Sequence, residues 1–295
     1  MPRARELRIL VATDGSPPAR AAVATTRDLP WVGTPRVAIV VAPFTSPAST
    51  RRGEVRGALS RAFERVAVAA RRALRTRWAD TEAAVVSGGV ADVILGRARG
   101  FRAGLIVVGW RGHGTFRRLL GGSVSRSVIR GAACPVLVVK RRARRLRRVV
   151  IGIDGSANAR RAAAFLAEAF TPSAGAAVTL VQAVEPVNVP SLGLMPAGVR
   201  AVLRREAAAL ERERRARAGR QLQRLATRLR RAGWRVVVRV TPGAPLSELL
   251  STVNAERADL LVVGARGAGE LKRLLLGSVA EGAVNRCPVP VLVVR

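Results

Sequence analysis

A chain of 295 residues holds two domains of ordinary size and leaves nothing over for a third. Its 52 Lys and Arg against 19 Asp and Glu give a net charge of +33, all but two of the cations are arginine, and tyrosine is absent, which argues against a single-strand base-stacking platform. One histidine and two cysteines exclude a zinc cluster, and no stretch reaches the roughly 20 apolar residues of a membrane-spanning helix.

Taken in chain order, short β-branched runs alternate with longer Ala/Arg/Leu segments. Strands are expected near 8–13, 36–42, 82–87, 104–109 and 135–140, and again near 148–153, 176–184, 235–241, 259–264 and 290–294, with helices between them. The strands are near-continuous apolar runs, as in a parallel sheet covered by helices on both faces. Ligands in such sheets bind beyond the carboxyl ends of the strands, where strand order reverses.

The whole chain is an internal repeat. Arg8-Ile-Leu-Val-Ala-Thr-Asp14-Gly15-Ser16 answers Arg148-Val-Val-Ile-Gly-Ile-Asp154-Gly155-Ser156, and Pro135-Val-Leu-Val-Val139 answers Pro290-Val-Leu-Val-Val294. The offset grows from 140 residues (Asp14 to Asp154) to 155 (Pro135 to Pro290), so the second copy carries an extra helical stretch. The expected organisation is a domain over 1–141, a basic linker over 142–147 and a second domain over 148–295. Each copy contains a glycine loop between a strand and a helix. Gly109-x-x-Gly112, nine residues and Gly122-Ser123 is repeated by Gly264-x-x-Gly267, nine residues and Gly277-Ser278. Such a loop lets backbone N–H groups approach an anion with no Cβ in the way, and the next helix N-terminus adds partial positive charge.

An early strand ending in Asp-Gly-Ser, a fourth strand running into this glycine pattern and a closing Pro-Val-Leu-Val-Val together resemble the universal stress protein family over essentially the full length, as a tandem of two domains. The resemblance implies a Rossmann-like, adenine nucleotide alpha hydrolase-like α/β fold, each repeat a five-stranded parallel sheet of order 3-2-1-4-5. It also implies the ATP-binding branch of the family, with Mg²⁺ arriving only through the phosphates. Carried over, it places Asp14 and Asp154 near the ribose or adenine and Val41 and Val184 along the base. Gly109, Gly112, Gly122, Ser123 and Val124 would hold phosphates in the first repeat, and Gly264, Gly267, Gly277, Ser278 and Val279 in the second. Family members pair through their last strands, which implies a pseudo-dimer of the two repeats, with a homodimer as a further level of assembly.

Bland readings stand beside these. Each aspartate is also a turn residue that caps a helix, and each glycine loop also serves as a tight connection. Trp110 stands where the second repeat has Ala265 and either stacks on a base or obstructs the pocket; Gly104 stands where the second repeat has Asp259. Competing motifs fail: the two lysines, Lys140 and Lys272, lie in no Walker loop, and Gly112-His-Gly114 is followed by Arg117 where a dinucleotide fingerprint needs glycine. Ser87-Gly88-Gly89 with Asp92 is similar to a pyrophosphatase loop but comes after the wrong strand. His113, the only histidine, is matched by Ala268, so no catalytic residue is assigned, and slow ATP hydrolysis or autophosphorylation is the most turnover the resemblance implies. Cys134 and Cys287 are not equivalent positions and read as small packed residues in a reducing compartment.

Arginine concentrates in Lys140-Arg-Arg-Ala-Arg-Arg-Leu-Arg-Arg148 and in Arg214, Arg217, Arg220, Arg224, Arg228 and Arg231, opposite Ala218, Leu222, Leu225 and Leu229 on one helix. The resemblance implies a cytoplasmic sensor or regulator binding ATP or a related adenine nucleotide, the location expected because Met1-Pro-Arg-Ala-Arg-Glu opens no signal-peptide region. The alternative is a basic interaction protein whose arginine faces engage nucleic acid or anionic surfaces.

Overall fold

The computed structural model describes residues 6–43, 53–110, 123–188, 196–267 and 276–295. The first repeat runs β1 (Arg8–Ala12), α1 (Pro17–Asp28), β2 (Arg36–Val41), α2 (Gly53–Arg75), β3 (Glu82–Val85), α3 (Val90–Gly100), β4 (Leu105–Gly109), α4 (Ser123–Gly131) and β5 (Val136–Val139). The second runs β6 (Arg148–Gly152), α5 (Ala157–Ala169), β7 (Ala177–Val184), α6 (Ala197–Arg231), β8 (Arg235–Pro242), α7 (Pro245–Ala255), β9 (Leu260–Gly264), α8 (Ser278–Arg286) and β10 (Val291–Val294). Each expected strand is present to within a residue or two at its ends. The strands form one ten-stranded sheet of order β3-β2-β1-β4-β5-β10-β9-β6-β7-β8, so each half has the order 3-2-1-4-5 implied by the resemblance.

Alternation along the strands divides the interior into two cores. Ile9, Val11, Leu105 and Val107 face α1 and α2, with their counterparts facing α5 and α6. Leu10, Ala12, Ile106 and Val108 face α3 and α4, with their counterparts facing α7 and α8. Burial on both faces is what makes the central strands read as unbroken apolar runs, whereas the edge strands β3 and β8 are only partly buried. The extra length of the second repeat lies largely in α6, which has 35 residues where α2 has 23. Its C-terminal half seats Ala218, Leu222, Ala226 and Leu229 in the core, while Val199, Val202, Leu203 and Leu210 of its N-terminal half are exposed.

The repeats meet along β5 and β10, which pair antiparallel with Leu292 opposite Leu137. Beside this ladder Trp31 stacks on Phe170 at a centroid distance of 4.6 Å, both rings buried, and the indole Nε1 donates to the Thr26 carbonyl at 2.7 Å. Two cations cross the joint reciprocally. Lys140 succeeds β5 and donates to the carbonyls of Asn285 (3.0 Å) and Cys287 (2.6 Å) at the end of α8. Arg295 succeeds β10 and donates to Ile129 O (2.8 Å) and Arg130 O at the end of α4. Each satisfies helix carbonyls that have no partner within their own helix and places positive charge at the negative end of the dipole. The connecting segment is held by Arg142, which pairs with Asp28. Burial pushes the Asp28 carboxyl up, but hydrogen bonds from Arg142 and Arg27 outweigh it and hold it below its usual value. This tie therefore stabilises at neutral pH and is lost as pH falls through the lowered value.

The joint has a measurable weight. Phe170→Ala removes a buried ring from the stack and should cost about 3–5 kcal/mol in urea unfolding, whereas Lys140→Met, which removes a helix-end cation, should cost about 1 kcal/mol.

Candidate functional site

Both aspartates sit in the turn between the first strand of their repeat and the next helix. In the first, Ser16 N donates to Asp14 Oδ1 at 2.9 Å, Gly15 takes φ +78°, and Ser16 Oγ accepts from Ala19 N to cap α1. In the second, Ser156 N donates to Asp154 Oδ1 at 2.9 Å, Gly155 takes φ +88°, and Ser156 Oγ accepts from Ala159 N at 3.1 Å. The serines, not the aspartates, are the helix caps; the aspartates close an Asx turn. One carboxylate oxygen of Asp154 is thereby occupied. The other, Oδ2, faces the glycine loop: a Cβ built on Gly267 would stand 2.9 Å from it.

The two glycines of the second loop answer different demands. A Cβ on Gly264 would meet Asn158 Cβ at 2.9 Å and the Ala159 backbone nitrogen at 3.1 Å, and a Cβ on the equivalent Gly109 would lie 2.7 Å from the Pro18 carbonyl carbon and from Ala19 N. These first glycines let the end of the fourth strand lie against the first turn of α5 or α1, whatever binds nearby. Gly267 meets only the carboxylate. Its loop is pinned by Asn158 Nδ2 donating to Arg266 O at 3.2 Å and by the Ser156 hydroxyl donating to the same carbonyl at 3.4 Å. On its far side Gly277 N donates to Ala265 O at 2.9 Å, and Gly277 caps α8 with no side-chain hydrogen bond. The first turn of α8 thus offers its amides without a side-chain acceptor, beside the exposed Ser278 and the half-buried Val279.

In the first repeat the exposed Ser123 and half-buried Val124 open α4, and Ser125 Oγ donates to Gly109 O at 2.7 Å. Gly112, His113 and Gly122 lie outside the described residues, as does Lys272 of the second repeat. Because β5 and β10 are antiparallel, β1 and β6 run in opposite directions, and Asp14 and Asp154 lie beyond opposite strand ends of the sheet.

Several expectations need correction. Trp110 is no stacking platform: it continues the inward alternation of Ile106 and Val108, is 7% exposed, and lies under Lys140 (5.3 Å from the ring centroid) and Arg126 (5.9 Å). Val41 is fully buried, so its side chain does not line an open pocket. Nor are Val41 and Val184 equivalent. Thr13 N donates to Val40 O and Ile153 N to Val181 O, so Val41 corresponds to Gln182, and Val184 lies two residues further along the longer β7. Asp259 has a structural duty that Gly104 lacks, accepting from the backbone N of Arg147 and Arg148 at 2.9 Å each. Ser87-Gly88-Gly89 opens α3, with Gly89 as its cap and Asp92 in its first turn. The crossing cations Lys140 and Arg295 were missed, although their shared place directly after Val-Val in each repeat was the available signal. Among the described residues no cluster of His, Cys, Asp or Glu suits a metal ion, and no helix is long and apolar enough to cross a membrane.

Gly264→Ala should lower thermal stability by about 1–3 kcal/mol because rigid backbone lies in the way, while Gly267→Ala, which meets only a carboxylate tip, should melt with the wild type. Burial pushes the Cys134 thiol up to about 11 and also raises Cys287. Both should resist alkylation at pH 8 in the folded protein and react once urea unfolds it, as read by mass spectrometry.

Comparison with known proteins fits this geometry. The profile of the universal stress protein family matches residues 7–140 and again 145–295. A universal stress protein of Mycobacterium tuberculosis (strain ATCC 25618 / H37Rv) is 32% identical over 238 residues, covering 74% of this chain and 67% of that protein. A universal stress protein from Thermus aquaticus is 35% identical over 147 residues, 50% of this chain and 97% of its own length. Among solved structures, a universal stress protein from Archaeoglobus fulgidus DSM 4304 superposes with a TM-score of 0.63 at 20% identity, covering 98% of both chains, which shows a shared fold. With its profile matched twice, the chain belongs to the universal stress protein family, as a tandem of two such domains.

Proposed function

We propose that the second repeat binds ATP or a related adenine nucleotide and that the protein is a cytoplasmic sensor or regulator, not an efficient catalyst. The observation that carries this reading is the juxtaposition of Asp154 Oδ2 with Gly267, in the segment before α8, whose N-terminus has a glycine cap and no side-chain cap hydrogen bond. A carboxylate oxygen accepts hydrogen bonds from ribose hydroxyls, and backbone N–H groups with the Ser278 hydroxyl donate to phosphate oxygens. Mg²⁺ would enter with the phosphates, its other ligands being phosphate oxygens and water. The first repeat offers the equivalent Asp14, Ser123 and Val124, with Trp110 in the place of Ala265.

Mass spectrometry of co-purifying nucleotide, with calorimetric ATP titration, tests the reading. Wild type should bind ATP, and Gly267→Val, Gly277→Val should lose binding at the second repeat while keeping its circular dichroism spectrum. A wild type that carries no nucleotide and gives no titration signal would refute it.

A second reading has its own observation. The arginines of α6 from Arg212 to Arg217 are exposed, and Arg141, Arg142, Arg144 and Arg145 line a cavity of about 260 Å³ with Asp259 and Pro290. Binding of a polyanion there should weaken steeply between 50 and 200 mM salt, by roughly 10³-fold or more if six or more phosphates are engaged. Cradle binding of ATP should fall far less over the same range.

A further inference from the structure

The two repeats differ around the aspartate turn at two independent places. On the second strand, the register that aligns Val40 with Val181 puts Gln182 where the first repeat has Val41, one residue beyond the carbonyl that accepts from Ile153 N, and Ile153 immediately precedes Asp154. On the covering helix, a Cβ on Gly15 would meet Val66 Cγ2 of α2 at 2.7 Å, whereas a Cβ on Gly155 would meet the Gln221 carboxamide of α6, Oε1 at 3.2 Å and Nε2 at 3.3 Å. Two valines around one turn are thus two glutamines around the other. Both lie on the same side of the sheet. Gln182 continues the alternation of Val178 and Leu180 in β7, on the face that α5 and α6 cover. Gln182 Oε1 is buried, with no hydrogen-bond partner among the described residues. A buried carbonyl without a donor is costly, and valine at that position would avoid the cost.

We propose that Gln182, with Gln221 beside the same turn, reads the nucleobase in the second repeat and makes that site selective for adenine over guanine nucleotides, while the first repeat, with valines at both positions, has no such polar group and lacks this selectivity. The proposal rests on the nucleotide reading above. A carboxamide presents a donor and an acceptor side by side, which complements the adjacent amino group and ring nitrogen of adenine and mismatches guanine, whose corresponding edge carries two acceptors.

The test is calorimetric titration of wild type, Gln182→Val and Gln182→Glu with ATP and with GTP. Wild type should prefer ATP by about tenfold or more. Gln182→Val, which installs the residue of the first repeat, should melt no lower than wild type, still bind ATP through the phosphates and lose most of that preference. Gln182→Glu keeps the shape but removes the amide donor, and should lose it as well. An unchanged ATP-to-GTP ratio in either folded variant overturns the proposal while leaving nucleotide binding intact. If neither nucleotide titrates with wild type, the nucleotide reading fails and the proposal falls with it.

Discussion

The antiparallel pairing of β5 with β10 is the constraint on which the rest of the molecule depends. Each repeat alone would end in a strand with one unpaired edge and fully buried valine and leucine side chains, a surface that attracts other chains. Pairing these edges covers both at once and fuses two five-stranded sheets into one. It also directs the chain beyond the ladder: the residue after each final strand emerges against the last helix of the opposite repeat, where Lys140 and Arg295 reach the terminal carbonyls. The Trp31–Phe170 stack adds a second attachment away from the ladder.

Around the second aspartate, packing and ligand chemistry are separable. Gly264 serves the contact between β9 and α5 and Ser156 caps a helix, so neither needs a ligand to explain it. Asp154 Oδ2 and Gly267 have no comparable structural duty among the described residues. A motif read as one unit in sequence therefore consists of parts with distinct physical reasons.

The same separation explains what was legible in the sequence. The central strands were readable because burial on both faces leaves few polar residues to blur the run, and the repeat was readable because Asp-Gly-Ser and Pro-Val-Leu-Val-Val serve the same turns and ladder twice. Equivalence inside the repeat was harder to see. β7 extends two residues past the point where β2 ends, so matching strand ends pairs Val41 with Val184, whereas hydrogen-bond register pairs it with Gln182. Trp110 misled for a related reason: adjacency to a loop glycine suggested the pocket, while its parity with Ile106 and Val108 assigned it to the core. Contacts between the repeats, such as those of Lys140, Arg295 and Phe170, depend on how two units dock and leave little trace in local pattern.

Carrying both halves in one polypeptide changes what the central ladder means. Two identical chains joined along the same strands would part on dilution, and every substitution would appear on both sides of the axis. Here the partner strand is tethered, so its local concentration is set by the connecting segment and not by how much protein the cell makes. A substitution is also made once. Differences such as Trp110 opposite Ala265, or Val66 opposite Gln221, are closed to a pair of identical chains but open to a fused pair, in which one half can specialise while the other continues to supply the joint.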